Sequence, residues 1–330
     1  MGALMRILVT GGAGFIGSNF VRRAMEQSLT GIDSIIVLDA LTYAGVRANL
    51  APLNGQDNLK FVEGDICDSA LVSSLLPHVD AVINFAAESH VDRSINSAAE
   101  FIKTNIAGVQ VLLDAIKASE RKLRFLQVST DEVYGSIETG SWDENCPLLP
   151  NSPYSATKAG GELLARAYHK THGIDVVITR CSNNYGTHHF PEKLIPLFVT
   201  NLLEGKKVPV YGNGKNVRDW LHVDDHCRGI HAALINGKSG EVYNIGGGRE
   251  LTNLEITHLI LEAMGADESS IEYVEDRKGH DLRYSVDWTK IKNELGYEPQ
   301  VKFEDGLMET IKWYRENESW WKPLKERARL

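Results

Sequence analysis

Short runs of apolar residues without polar alternation recur along the first half of the chain: Arg6–Thr10, Ser34–Asp39, Leu59–Gly64, Ala81–Phe85, Arg124–Ser129 and Asp175–Arg180. Runs of this kind mark strands covered on both faces. Between them the apolar period changes. A helix is predicted from Ile16 to about Gln27. Ile102, Ile106, Val109, Leu112, Leu113 and Ile116 follow steps of three and four residues, as does the segment Ser155–Thr171. Repeated strand–helix–strand units predict an α/β fold built on a doubly wound parallel sheet.

The second half is less regular. Val208–Tyr211 reads as a short strand ending in a Gly-Asn-Gly turn, Val223–Asn236 as a helix and Glu241–Ile245 as a strand able to rejoin the main sheet. Leu251–Met264 reads as a helix opened by Thr252, with Glu255 three residues on, a capping box. Ile271–Glu275 is a predicted strand and Phe303–Asn317 an amphipathic helix.

Composition sets bounds on function. The 330 residues are 43% hydrophobic and 24% charged, as expected for about two globular domains. Lys and Arg number 35 against 44 Asp and Glu, a formal charge of −9. With no long basic run, the chain is a poor candidate for nucleic acid. No apolar run reaches the length of about 18 residues needed to cross a membrane. The N-terminus runs straight into a predicted strand, without a signal peptide, and Arg6 stands where a myristoylation signal needs Ser or Thr. Cys67, Cys146, Cys181 and Cys227 are scattered, which fits a reducing cytoplasm. His188 and His189 are adjacent but have no partner at ligand spacing, so no metal is expected.

The chemistry begins at Gly11-Gly12-Ala13-Gly14-Phe15-Ile16-Gly17, between a predicted strand and a predicted helix. Gly12, Gly14 and Gly17 satisfy GxGxxG, the Rossmann-type fingerprint that brings backbone N–H groups against a pyrophosphate. Asp39 ends the next strand, 22 residues after Gly17. A carboxylate there suits ribose hydroxyls and repels a 2′-phosphate, so NAD is favoured over NADP. Asp65 and Ile66, and the run Phe85-Ala86-Ala87-Glu88-Ser89, leave strands at the same edge. Residues 1–180 are therefore expected to form an NAD-binding domain, with about 222–246 returning to it, and 181–330 a smaller, interleaved C-terminal α/β lobe for substrate.

Tyr154 and Lys158 stand at i and i+4, on one face of a predicted helix. A nearby ammonium favours a phenolate, so the pair reads as a base with its activator. Thr130-Asp131-Glu132 directly follows the fifth predicted strand. Oxidation and reduction need only a tyrosine, a lysine and a hydroxyl. Two further acids in different environments can divide acid and base work, which points to an additional reaction.

With these residues in place, the chain resembles the extended short-chain dehydrogenase/reductases and, within them, the dTDP-glucose 4,6-dehydratase family. The resemblance rests on Gly11–Phe20, Asp39–Gly45, Ala86–Ser94, Ser129–Ser136, Tyr154–Gly160, Arg180–Gly186, Phe190–Phe198, Val217–Ile230 and Lys278–Ser285. It implies oxidation at C4 of a nucleotide sugar, loss of water across C5 and C6, and reduction at C6, with NAD recycled in place. Thr130, Asp131, Glu132, Tyr154 and Lys158 would be catalytic. Gly11, Gly14, Phe15, Ile16, Gly17, Asp39, Leu41, Thr42, Asp65, Ile66, Phe85, Ala86, Ala87, Ser89, Thr104, Ser129, Tyr154, Lys158 and Asn184 would hold NAD. Ser89, Thr130, Asn183, Glu192, Lys193, Leu194, Pro209, Tyr211, Arg218, Asn253, Arg277 and His280 would hold dTDP-glucose. The resemblance also implies a homodimer in which the helices Ile102–Ile116 and Leu163–Tyr168 form a four-helix bundle with their copies. Thr187-His188-His189 and Lys278 depart from the family pattern near the nucleotide-sugar end. A nucleotide-sugar 4-epimerase or decarboxylase, a dehydratase of GDP-mannose or UDP-glucose, and a non-catalytic NAD-binding protein remain as alternatives.

Overall fold

A computed structural model of the chain describes residues 4–276 and 279–328. Seven parallel strands form the main sheet: β1 (Met5–Thr10), β2 (Ile32–Asp39), β3 (Leu59–Glu63), β4 (Ala81–Asn84), β5 (Arg124–Thr130), β6 (Asp175–Cys181) and, later in the chain, Val242–Ile245. The remaining strands are β7 (Asn183–Tyr185), β8 (Val208–Tyr211), β9 (Val217–His222), β10 (the Val242–Ile245 strand just named), β11 (Glu250–Thr252) and β12 (Ile271–Val274). The main-sheet order is β10-β6-β5-β4-β1-β2-β3, so the strand order reverses beside β1 and opens a crevice at the strands' C-terminal ends.

The unbroken apolar runs have a simple cause. Ile7 and Val9 of β1 enter one buried cluster and Leu8 the other, so both faces of the strand are covered. One face packs on α1 (Phe15–Met25), the other on α2 (Ser69–Leu75), α5 (Val109–Ala118) and α6 (Pro153–His172), while the short α3 (Val91–Asn96) and α4 (Ala99–Ile102) lie against α6. Each fully buried Val, Leu or Ile contributes about 1.5–3 kcal/mol.

The predicted helix through Ile102–Ile116 is interrupted. Between α4 and α5, Lys103–Gly108 forms a π-helical turn. It carries Asn105, whose amide accepts from the Glu88 N–H at 2.9 Å and donates to the Glu88 carbonyl at 3.1 Å. The turn thus swings one polar side chain out of an apolar stripe to brace the loop after β4.

The second lobe contains α7 (Leu194–Leu203), α9 (Asn253–Met264), α11 (Phe303–Glu316) and α12 (Glu318–Ala328), while α8 (Val223–Asn236) and α10 (Thr289–Leu295) cover the main sheet. A three-stranded sheet (β11-β9-β7) and a parallel pair (β8, β12) complete it. The Thr252–Glu255 capping box is present, but its helix starts at Asn253, because Glu250–Thr252 pairs antiparallel with β9. Helix α12 returns to the first domain: Trp320 Nε1 donates to Asn49 Oδ1 at 2.9 Å, Asn49 Nδ2 donates to the Ala13 carbonyl at 3.0 Å, and Arg327 donates to the Thr42 carbonyl. No helix among the described residues is long and apolar enough to cross a membrane.

Candidate active site

The glycine-rich loop leaves β1 at Gly11, whose φ of +68° and close approach to Ala86 (a Cβ would lie 2.6 Å from its nitrogen) exclude any side chain. A Cβ on Gly17 would lie 2.3 Å from the Gly11 carbonyl, so the helix also needs glycine to sit tightly on the loop. Helix α1 has no side-chain cap at Gly14 and no acid in its first turn, which leaves its N–H groups and positive end for an anionic ligand. Asp39 braces the loop. It accepts from Ala13 N–H and Leu41 N–H, both at 2.8 Å, and burial raises its pKa.

A cavity of about 800 Å³ runs from this loop across the strand ends into the second lobe. It gathers the residues expected at the cofactor and substrate sites, with two exceptions. Leu41 does not line it: at a φ of +49°, its backbone N–H is turned into Asp39. Arg277, like the departing residue Lys278, lies outside the described residues. The rest, from Gly11 and Asp39 through Thr130 and Tyr154 to Asn253 and His280, share one wall.

Helix α6 begins with Ser152 as N-cap, in a reciprocal capping box with Ser155, and Pro153 at its first position. This fixes Tyr154 in the first turn, where its N–H donates to Ser94 Oγ at 3.1 Å. Lys158 shares its face, but the expected electrostatics are not what the chain itself provides. Lys158 Nζ donates to the Val128 carbonyl at 2.6 Å, and burial pushes its pKa down to about 8. Tyr154 is held well above its ordinary value, first by burial and then by Glu132, Cys181 and Asp131, against a hydrogen bond to Thr130. The phenol therefore keeps its proton in the chain alone.

β5 ends in a four-residue 3₁₀ turn, Asp131–Tyr134. Thr130 caps it, accepting from Glu132 N–H at 3.3 Å while its hydroxyl donates to Asp131 Oδ1 at 3.1 Å. Asp131 is buried, and its Oδ2 has no hydrogen-bond partner among the described residues. Burial and then the neighbouring Glu132 raise its pKa well above its ordinary value. A buried carboxyl with a raised pKa thus adjoins a second carboxylate, beside a tyrosine.

At the far end, Arg218 Nη1 and Nη2 donate to the Val217 and Asp281 carbonyls at 2.7 and 3.0 Å, with the guanidinium 4.4 Å above the Tyr284 ring. Glu192 pairs with Arg93 at 3.3 Å, Lys193 Nζ donates to the Ser89 carbonyl at 3.1 Å, and His280 pairs with Asp276 at 2.6 Å. Among the described residues no cluster of three His, Cys, Asp or Glu could hold a metal ion. His189 stacks on Phe15 and His188 faces Trp313. The sequence reading did not single out Asn105, Arg93 (stacked on Tyr43 at 4.0 Å) or the His189 stack. Only Asn105 carries a local signal, as a polar residue within an apolar helical stripe.

A parallel doubly wound sheet, a glycine loop at its first strand and a Tyr–Lys helix facing an acid pair define an enzyme of the extended short-chain dehydrogenase/reductase class. Residues 8–310 match the family described as GDP-mannose 4,6 dehydratase. The chain is 59% identical over 324 residues to the dTDP-glucose 4,6-dehydratase of Streptomyces niveus, covering 97% of this chain and 96% of that one. It is 58% identical to the Actinoplanes sp. enzyme of the same name, over 96% of this chain and 100% of the relative. The crystal structure of DesIV (dTDP-glucose 4,6-dehydratase) from Streptomyces venezuelae, with NAD and TYD bound, superposes with a TM-score of 0.96 at 60% identity, covering 97% of this chain and all of that one. The chain belongs to this dehydratase family and stands among its dTDP-glucose 4,6-dehydratases.

Proposed function

We propose that this protein removes water from dTDP-glucose to give the 4-keto-6-deoxy sugar. The observation that carries the reading is the environment of Asp131: a buried carboxyl next to Glu132 on the turn facing Tyr154, with its pKa raised by that burial. Elimination beside a ketone needs an acid and a base together, each worth about 10²–10⁴-fold. An epimerase has no water to expel and no use for a protonated carboxyl here.

NAD fits the glycine-rich end, where the uncapped α1 terminus faces its diphosphate and Asp39, Asp65 and Ile66 border its adenosine half. When bound it accepts a hydride from C4 and returns it to C6, so no external redox partner is consumed. As the phenolate, which Lys158 and the positive nicotinamide ring of bound NAD⁺ would favour, Tyr154 takes the proton of the 4-hydroxyl, with Thr130 beside it. Glu132 takes the C5 proton that the 4-ketone acidifies. Asp131 gives its proton to the C6 hydroxyl, the C6–O bond breaks, and water leaves; as hydride returns to C6, C5 takes its proton back from Glu132, and the proton gained by Tyr154 makes good the one Asp131 gave up. Arg218 and Lys193 offer the positive charge at the diphosphate end of an otherwise acidic chain. Residues 1–180 with about 222–246 serve the cofactor in this reading, and the rest of 181–330 serves the nucleotide sugar.

Two further assignments go with it. Ile102 and Leu163 are each 51% exposed on α4 and α6, which supports a homodimer built on those helices. Monomeric sedimentation at micromolar concentration would argue against it. Four unpaired thiols support a cytoplasmic setting.

The test is mass spectrometry of dTDP-glucose incubated with the purified protein, without added NAD. Loss of one water supports the reading and shows that NAD is carried and recycled. Isomerisation without mass change would replace it with an epimerase. No change, even with NAD and with GDP-mannose or UDP-glucose, would leave a binding protein.

A further inference from the structure

Arg180 lies wholly buried on β6, and its guanidinium meets two other elements at once, α6 and the 3₁₀ turn. Nε donates to the two Glu162 carboxylate oxygens at 3.1 and 3.0 Å, and Nη2 also donates to Glu162. Nη1 donates to the Tyr134 hydroxyl at 2.5 Å, and the guanidinium carbon stands 4.6 Å from the Tyr134 ring. That hydroxyl donates in turn to Asn244 Oδ1 at 2.9 Å, and Asn244 is the register partner of Arg180 on β10.

These contacts join the two halves of the chemistry. Glu162 follows Lys158 by one helical turn on α6, and Tyr134 ends the 3₁₀ turn that carries Asp131 and Glu132. The side chains of Arg180 and Glu162 are both 0% exposed. A buried ion pair is a poor source of stability compared with apolar packing. The rigid five-donor fork of arginine instead fixes directions.

The two halves depend on it unequally. Tyr154 and Lys158 are also held by the Ser152–Ser155 box, by Ser94 and by the Val128 carbonyl. The acid turn is a short 3₁₀ segment, intrinsically weaker in its hydrogen bonds, with the Thr130 cap at one end and Tyr134 at the other.

We propose that Tyr134 and Arg180, backed by Glu162, are positioning residues that hold Asp131 and Glu132 at their working distance from Tyr154, and so govern the elimination rather than the oxidation at C4. The proposal rests on the dehydratase reading.

Wild-type protein is measured first, for loss of water from dTDP-glucose; failure there overturns the functional reading and is seen before any variant is made. Tyr134→Phe keeps the ring on the guanidinium and removes only the hydroxyl. In a single turnover of the holoenzyme, C4 oxidation, read from the near-ultraviolet absorbance of the reduced cofactor, is expected to change by no more than about twofold. Water loss and C5 exchange with deuterated solvent are expected to slow by about 10- to 100-fold, so that reduced cofactor accumulates. Amide hydrogen exchange is expected to quicken at residues 131–135 and not in α6. Arg180→Lys keeps the charge opposite Glu162 but lacks the fork that reaches Tyr134, and it carries the same expectation should Tyr134→Phe fold poorly. Oxidation and elimination slowing together, or exchange rising evenly over both elements, would overturn the proposal.

Discussion

The imidazole of His189 lies nearly parallel to the ring of Phe15, with centroids 4.1 Å apart and planes inclined by 15°. Phe15 is the first residue of α1, directly behind Gly14, whereas the His189 carbonyl accepts a hydrogen bond from Tyr314 of the second lobe. The stack therefore joins the glycine-rich loop to the second lobe. Burial pushes the His189 pKa down to about 3, so the ring stays neutral at any pH near neutrality. Aromatic pairs of this kind contribute about 0.5–1.5 kcal/mol beyond their area. His189→Ala is expected to weaken NAD binding by about 2- to 12-fold and to leave kcat at saturating cofactor unchanged. Equilibrium dialysis of NAD against both proteins measures it, and equal retention would contradict it.

Asp39 braces the loop, apart from the ribose role proposed for it. Because its oxygens accept from Ala13 and Leu41, Asp39→Ala is expected to lower stability by about 1–3 kcal/mol, the cost of leaving buried donors unpaired. Removing the carboxylate should for that reason fail to convert the site to NADP. Thermal melts, together with NAD and NADP titrations, decide the point; clean NADP binding at wild-type stability would refute it.

Asp131 must be protonated to act, and its pKa is raised. The rate of water loss is then expected to fall on the alkaline side, as pH rises through that raised value. Asp131→Asn cannot give up a proton. It should lose about 10²–10⁴-fold in kcat and show no such alkaline limb, while still oxidising C4. The pH profile of single-turnover water loss in both proteins tests this.

Lys158 carries a stability cost. Burial holds its pKa at about 8, so the unfolded chain binds this proton more tightly than the folded one does. Its contribution to wild-type stability therefore improves as pH rises from about 8 toward the ordinary lysine value near 10.4. Lys158→Met is expected to abolish turnover yet stabilise the fold near neutral pH. The gain is on the order of 3 kcal/mol before the loss of the Val128 hydrogen bond, about 1 kcal/mol, is subtracted. The advantage should shrink as pH rises, and melting curves across that range would show it; a variant less stable at every pH would contradict it.

The main sheet was legible because each of its strands is an unbroken apolar run too short for a helix, and the reading of Val223–Asn236 matched the helix residue for residue. The small sheet was not. β9 buries Arg218 and Asp219 inside the strand, which defeats any apolar pattern, and β7 has only three residues. Helix α7 is apolar on nearly every side, and α12 contains Pro323, so neither shows a clean stripe. In the site, the glycine loop, Tyr154, Lys158 and the acid pair could be read from spacing. The partner of Lys158 could not, because it is the Val128 carbonyl, and every residue has a carbonyl. Nor could Tyr134–Arg180–Glu162, whose members belong to three separate elements.

The bond from Trp320 to Asn49 spans 271 residues of chain, and Asn49 holds the carbonyl of Ala13 inside the phosphate loop. Domains generally fold in the order in which they leave the ribosome. Here the nucleotide loop is among the first segments made, yet its outer brace is made only when helix 318–328 emerges. A ribosome-held chain ending before that helix would carry the first domain with its loop unbraced and its grip on NAD loose. On this ordering, firm capture of the cofactor would be a late event in biosynthesis, following completion of the second lobe.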